Sequence, residues 1–165
     1  MRPLAAKTQT LRSGAEYLAS IKDDGRRVLF DGETVKDVTS HPAFKGAARS
    51  LARLFDVAAE PKNAGLMTYA SPKTGRPVWR CYQIPKTAAD LGARRLMSAR
   101  WAEETFGLMG RTPDHVAGFL AGYAAKPSVF ALAGKSFAEN VVRYYEHARD
   151  NHRYLSYAIV PPQID

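Results

Sequence analysis

Ser40-His-Pro-Ala-Phe-Lys-Gly-Ala-Ala-Arg-Ser-Leu-Ala-Arg-Leu-Phe-Asp-Val-Ala58 is the stretch on which the fold class turns. Phe44, Ala47, Ala48, Leu51, Leu54, Phe55 and Ala58 recur with the helical period, while Arg49 and Arg53 read as a solvated face. Pro42 suits a first turn and Pro61 marks the end, so the spacing predicts one amphipathic helix entered at Ser40-His41-Pro42. Upstream, Ser13-Gly-Ala-Glu16 has the form of a capping box opening a short helix through Tyr17, Leu18 and Ile21, stopped by Asp24-Gly25. Arg27–Phe30, Asp31-Gly32 and Glu33–Val38 read as a small hairpin. Downstream, Leu66–Ala70 and Pro77–Gln83 read as two strands joined by the turn Ser71-Pro-Lys-Thr-Gly75.

The rest is helical again. Thr87 caps a helix with Asp90 in its first turn and Leu91, Leu96, Trp101, Ala102 and Phe106 along one side. Gly107 to Gly110 interrupts it, and Thr112-Pro-Asp114 has the hydroxyl, proline and acid of a new helix start. Ser136 caps a further helix carrying Phe137, Val141, Tyr144 and Tyr145. Tyr154–Val160 is a β-type run cut by Pro161-Pro162. The expected class is therefore mainly α with small β hairpins. The last run needs strand partners for its backbone groups, either an earlier hairpin or a further domain, and both readings stay open at this point.

With 165 residues the chain is long enough to bury a core without staples. Its 45% apolar and 24% charged content excludes a disordered tail. A single cysteine, Cys81, excludes an internal disulfide and a cysteine-rich zinc site, and its place on an apolar strand reads as core. No apolar run has the length of a membrane span, and Met1–Gly14 lacks the apolar stretch of a secretory signal, so a soluble, cytoplasmic protein with no membrane partner is expected. The net charge of +8 raises nucleic acid as a partner. The cations are scattered, however, at Arg49 and Arg53, Arg94 and Arg95, Arg143 and Arg149, with a lone cluster at Asp24-Gly-Arg26-Arg27. Solvated helix faces are the simpler reading, and no nucleic acid is expected.

Of the four histidines, none stands in a metal-binding helix pair, and no metal is expected. His147 and His152 lie among Arg149 and Arg153 and read as solvated; His41 reads as a helix-entry residue. His115 sits one turn into a helix with Arg111 four residues before it. An Arg and a His at a helix start suit an anion or phenolate site, although a structural pair is the simpler reading on spacing alone. No Gly-rich phosphate loop, nucleophile elbow or Cys/His dyad is present.

Taken together, Arg12-Ser-Gly-Ala-Glu-Tyr-Leu18, Asp31-Gly-Glu-Thr-Val-Lys-Asp-Val38, Ser40-His-Pro-Ala-Phe44, Ala48–Asp56, Leu66–Pro72 with Thr74-Gly75, Ala89–Arg95, Gly107-Leu-Met-Gly-Arg-Thr-Pro-Asp114 and Ala158–Asp165 carry a resemblance. In this order and spacing the chain resembles the N-terminal region of the 4-hydroxyphenylacetate 3-monooxygenase family, the oxygenase components of two-component flavin hydroxylases. The resemblance implies the N-terminal helical domain of an acyl-CoA-dehydrogenase-like fold over residues 1–153. Residues 154–165 would then be the first strand of a β-barrel domain otherwise absent from the chain. It also implies FAD used as FADH2 from a separate flavin reductase, O2 as co-substrate, a phenolic substrate and aromatic compound catabolism. The chemistry the resemblance implies is insertion of oxygen ortho to the phenolic hydroxyl by a flavin C4a-hydroperoxide. The full-length form is expected to be a homo-oligomer, and this fragment alone inactive.

Residue by residue, Arg111 matches the family arginine at the phenol and hydroperoxide site, where a permanent cation stabilises a phenolate or peroxide oxygen. The family has Tyr where this sequence has His115, and His where Ser156-Tyr157-Ala158 has Tyr157. This reciprocal departure suggests that the two side chains face one another across the phenol site and have exchanged roles, His115 as base and Tyr157 as its partner. A changed substrate or lost activity is the alternative. Catalytic and substrate-binding roles thus fall on Arg111, His115 and Tyr157, and flavin contact on Tyr157, Ala158, Ile159, Gln163, Ile164 and Asp165. A dehydratase branch of the same fold needs cluster cysteines that one Cys81 does not supply. Chlorophenol and nitrophenol hydroxylases, tailoring hydroxylases, and a non-catalytic helical interaction domain or truncated remnant stay open.

Overall fold

A computed structural model describes residues 11–157. The chain divides into two compact units, Met1–Ala64 and Gly65–Asp165.

In the first unit, helix α1 (Gly14–Lys22) opens on the expected capping box, with Ser13 accepting from the Glu16 N–H and Glu16 accepting from the Ser13 N–H. Strands β1 (Val28–Phe30) and β2 (Glu33–Val35) pair antiparallel with Val28 opposite Val35. Asp31 and Gly32 both take positive φ, 51° and 78°, as a two-residue hairpin turn requires. Helix α2 (Lys45–Ala59) begins later than the sequence predicts. Asp37 is the reason: its carboxylate accepts from the Thr39 N–H and its carbonyl from the His41 N–H, so Ser40–Pro42 belongs to turns ahead of the helix. Ala48, Ala52, Leu54, Phe55, Val57 and Ala58 are buried, whereas Ala47 is exposed. Helix α1 approaches α2 closely at Gly14, whose N–H donates to Asp56 at 2.7 Å, and Tyr17 stacks on Phe55 at 4.6 Å.

A 3-10 turn (Pro61–Asn63) leads into the short helix α3 (Ala64–Met67). Strands β3 (Thr68–Ala70) and β4 (Pro77–Trp79) then form the second hairpin, with Thr68 opposite Trp79. Both are shorter than the sequence predicts. Leu66 and Met67 finish α3, and Arg80–Tyr82 closes into a 3-10 turn, where the Arg80 guanidinium donates to the carbonyls of Gly65, Leu66 and Thr68. Cys81 therefore lies on this turn rather than a strand; it is fully buried as expected, and burial pushes its thiol pKa well up.

Helix α4 (Ala88–Glu104) starts on a Thr87/Asp90 capping box. Its buried line is Met97 and Trp101, while the predicted Leu91, Leu96 and Phe106 are exposed. Arg94 lies on that buried line by spacing and donates to the Gln83 carbonyl, so a search for apolar residues passes over it. Helix α5 (Asp114–Ala125) follows, with Pro113 at its N-cap; the Thr112 hydroxyl donates to Asp114 instead of capping the backbone. After the short α6 (Ser128–Ala131), helix α7 (Lys135–Asp150) is entered through Gly134 at φ 135°, not through a Ser136 cap. Trp79 meets Trp101 edge to face at 5.6 Å in a core shared by Val78, Tyr82, Met97, Ala117, Ala121 and Ala148.

Two residues read as solvated are buried. Arg149 is 4% exposed, pairs with Asp150 at 2.9 Å and lies over the Tyr145 ring. His152, at φ 48° just past α7, is 7% exposed and its Nε2 lies 3.2 Å from the Pro77 carbonyl. Residues 153–157 are irregular, and no strand among the described residues pairs with them. The remainder of the expected Tyr154–Val160 strand, and the flavin-contact residues Ala158, Ile159, Gln163, Ile164 and Asp165, lie outside the described residues.

Candidate functional site

The site is built where two pieces of chain far apart in sequence meet in the second unit. One piece is the approach to α5. Left-handed Phe106 and Gly107 turn the chain after α4, and Arg111 follows, with His115 in the first turn of α5. Burial of Ala117, Leu120 and Ala121 fixes the helix that presents His115. The other piece is the irregular segment 153–157, held at Arg153, Tyr154 and Tyr157 and preceded by the anchored His152. The Pro77 carbonyl meets His152, the Tyr82 hydroxyl donates to the Arg153 carbonyl at 2.5 Å, and the Tyr154 hydroxyl donates to the Arg111 carbonyl at 3.1 Å. Arg111 Nη1 in turn donates to the Tyr157 carbonyl at 2.9 Å. The irregular segment, which has no strand ladder among the described residues, is thus tied at its start, through the Tyr154 side chain and at Tyr157.

These anchors bring Arg111, His115 and Tyr157 together. The Arg111 guanidinium carbon lies 4.5 Å from the centre of the Tyr157 ring. His115 Nε2 is 3.2 Å from the Tyr157 hydroxyl, and the two rings stack at 5.5 Å with 18° between planes. The pair is therefore in direct contact, rather than facing across a gap wide enough for a phenol. Phe119, one turn on, stands edge-on to both rings, at 5.1 Å from His115 and 6.0 Å from Tyr157. Burial raises the Tyr154 phenol above its ordinary pKa against the opposing Arg111 charge, so its hydroxyl stays a donor.

Tyr157 also lines a cavity of about 380 Å³, together with Val116, Phe119, Leu120, Tyr123, Tyr144 and Leu155. Arg111 is exposed, and among the described residues the one hydrogen bond of its guanidinium goes to a carbonyl. A guanidinium so placed suits an anionic oxygen or the polar edge of a planar cofactor. No group of metal-ligating side chains occurs among the described residues. Sequence reasoning missed Tyr82, Tyr154 and Phe119. Only Phe119 had a readable signal, its four-residue spacing from His115 on one helix.

A family model described as the 4-hydroxyphenylacetate 3-hydroxylase N-terminal region matches residues 13–165. The chain belongs to that family. It is 37% identical over 154 residues to the 4-hydroxyphenylacetate 3-monooxygenase oxygenase component of Geobacillus sp. (strain PA-9), covering 93% of this chain and 31% of that protein. It is also 37% identical to the oxygenase component of a Rhodococcus 4-nitrophenol 2-monooxygenase, covering 93% of this chain and 29% of the relative. The crystal structure of a 4-hydroxyphenylacetate 3-monooxygenase oxygenase component complexed with FAD and 4-hydroxyphenylacetate matches with a TM-score of 0.84 at 35% identity, over 93% of this chain and 31% of that one. The chain spans about a third of the length of these relatives. Helices with small antiparallel hairpins are thus the N-terminal domain of an acyl-CoA-dehydrogenase-like fold. No helix among the described residues is long and apolar enough to cross a membrane.

Proposed function

We propose that this chain forms the helical wall of the phenol site in the oxygenase component of a reduced-flavin-dependent aromatic hydroxylase. Residues 1–153 are its helical domain and 154–165 begin its barrel domain. The observation that carries the reading is the convergence of Tyr157 on Arg111 and His115, 46 and 42 residues away in sequence, at the edge of an aromatic-lined cavity. Such a trio has the parts needed to hold and ionise a phenol: a permanent cation, an imidazole and a hydroxyl.

In this reading the phenol hydroxyl displaces the direct His115–Tyr157 contact, the two side chains separating to bond it instead of each other. His115 takes its proton, the Tyr157 hydroxyl donates to the phenolate oxygen, and Arg111 stabilises the negative charge. Ionisation raises electron density at the ring carbon beside the hydroxyl. Tyr157, Ala158, Ile159, Gln163, Ile164 and Asp165 would hold reduced FAD delivered by a separate flavin reductase; with O2 it would supply the one oxygen atom this carbon receives, the second leaving as water and the flavin ending oxidised. The intact protein works as a homo-oligomer. The reciprocal exchange of His and Tyr keeps one base and one hydroxyl in the pair while moving the base onto α5.

The test is His115→Phe in the intact protein, supplied with FADH2 by a generic reductase. Loss of the base lowers kcat/KM for the phenol about 100-fold. A rate and pH profile equal to the parent's would refute the assignment. Flavin oxidation with no hydroxylation of any phenol would refute the function itself.

A further inference from the structure

Arg111 is tied to segment 153–157 twice and in opposite senses. Its guanidinium donates to the Tyr157 carbonyl at 2.9 Å, and its own carbonyl accepts from the Tyr154 hydroxyl at 3.1 Å. We propose that Tyr154 is a positioning residue: its hydroxyl fixes the main chain from which the Arg111 side chain is projected, and so holds the cation over the Tyr157 ring, beside the place of a phenolate oxygen. The inference rests on the phenol-site reading above and adds to it a residue that acts through Arg111.

The carbonyl of Arg111 is open to Tyr154 because α5 does not take it. The His115 N–H goes to the Thr112 carbonyl at 3.1 Å, three residues back, where an α-helical bond four residues back would have drawn in Arg111. Arg111 thus stands outside the ladder of the helix that carries His115. An arginine side chain is long and rich in rotamers, so a hydrogen bond at its tip leaves the cation free to move whenever the main chain moves. The Tyr154 bond removes that freedom, since main chain and tip of Arg111 are both referred to one short piece of chain, at Tyr154 and Tyr157. The guanidinium carbon then rests 4.5 Å from the centre of the Tyr157 ring, whose hydroxyl lies 3.2 Å from His115 Nε2. Tyr82 and His152 also anchor this part of the chain, but through the carbonyls of Arg153 and Pro77, and neither bond involves Arg111. Loss of the Tyr154 hydroxyl therefore acts on the cation, whereas loss of the Tyr82 hydroxyl acts on the segment. The two effects differ by charge. A cation held near a phenolate oxygen stabilises the ionised ring far more than the neutral one, so its displacement separates the two forms.

4-Nitrophenol is the probe, because its ionised form absorbs visible light and its neutral form does not. The flavin-free intact protein is titrated with it at one pH where the probe is neutral and one where it is ionised, each variant being compared with the parent at the same pH. Tyr154→Phe, checked for native circular dichroism, should weaken binding of the ionised probe about fivefold and of the neutral probe less than about twofold, as one lost hydrogen bond passed on through Arg111 would. The visible band of the bound nitrophenolate should move to longer wavelength, because the charge on its oxygen is less stabilised. In an Arg111→Ala background the same substitution should change neither quantity, which is the coupling that a double-mutant cycle isolates. Tyr82→Phe should weaken both forms alike, with or without the guanidinium. The inference is overturned if Tyr154→Phe leaves affinity and band unchanged, if it weakens both forms equally, if its effect persists in Arg111→Ala, or if Tyr82→Phe gives the same charge-selective loss. Nitrophenolate binding that Arg111→Ala weakens would in each of those cases leave the phenol-site reading standing. A parent protein that binds neither form overturns both.

Discussion

Tyr82→Phe separates the anchoring of the site segment from the packing of the core. The Tyr82 ring is fully buried on the 3-10 turn Arg80–Tyr82, and burial raises its phenol pKa so far that the hydroxyl remains a donor at every working pH. That hydroxyl donates to the Arg153 carbonyl, where α7 hands over to the segment ending at Tyr157. Phenylalanine fills the same volume, so no cavity term enters, and the loss is that of one acceptor's partner. For a part-buried carbonyl that water reaches after the change, the cost is near the lower end of about 1–3 kcal/mol. A penalty of ~1 kcal/mol on the arrangement that holds Tyr157 weakens phenol binding by up to about fivefold, since 1.4 kcal/mol is tenfold. Tyr145→Phe is the control. Its hydroxyl donates to the Tyr82 carbonyl at 2.7 Å within the buried core, so its loss costs about 1–3 kcal/mol with phenol affinity within about twofold of the parent. Urea unfolding and calorimetric phenol titration of both variants of the intact protein are the assay. The reasoning is refuted if Tyr82→Phe leaves both midpoint and phenol affinity unchanged, or if Tyr145→Phe weakens phenol binding as much.

Two further outcomes follow from other parts of the fold. Alanine ordinarily stabilises a helix relative to glycine, yet Gly14→Ala should destabilise the first unit by about 1–3 kcal/mol, because a Cβ there would lie 2.4 Å from the Ala52 carbonyl oxygen and 2.8 Å from its carbon; urea midpoints give the sign directly. At Asp150, burial alone would raise the carboxyl pKa, but hydrogen bonds from Arg149 and Ser71 outweigh it and hold it below the ordinary 3.8. Its contribution to stability is therefore complete above that ordinary value and lost as pH falls through the lowered folded value, so a melting-temperature scan from about pH 5 to about pH 2 should fall less steeply in Asp150→Asn.

Signals confined to a few neighbouring residues were legible in the sequence. The Ser13/Glu16 capping box, the Thr87 cap and the Asp31-Gly32 turn need only local geometry, and all three form, with Asp90 completing a second box at Thr87. The trio Arg111, His115 and Tyr157 was legible through resemblance, since spacing alone favoured a structural pair for the first two. What failed depends on tertiary partners. Asp37 captured the turns that Ser40 and Pro42 promised to α2, and Arg80 drew carbonyls around itself where a longer strand was expected. Periodicity ranked Leu91 and Leu96 above Arg94 on α4, because it weighs hydropathy and cannot know that a guanidinium will meet the Gln83 carbonyl. Arg149 and His152 read as solvated for the same reason: their burial is supported by Asp150 and by the Pro77 carbonyl, partners that only the fold supplies.

The exchange of His and Tyr at positions 115 and 157 alters what each perturbation can do to the proposed chemistry. A base carried on segment 153–157 would depend for its position on the tethers to Tyr82, Arg111 and Pro77, since that segment has no ladder of its own. A base at His115 depends instead on α5, whose place is fixed by buried Ala117, Leu120 and Ala121. Loosening the segment then withdraws the Tyr157 hydroxyl and the ring beneath Arg111 while leaving the imidazole in place. Substitutions at Tyr82 and Tyr154 should accordingly act on phenol affinity more than on the pH profile of hydroxylation. The reverse pattern, a shifted profile with affinity intact, would place the base on the segment and return the roles to the order that the family resemblance implies.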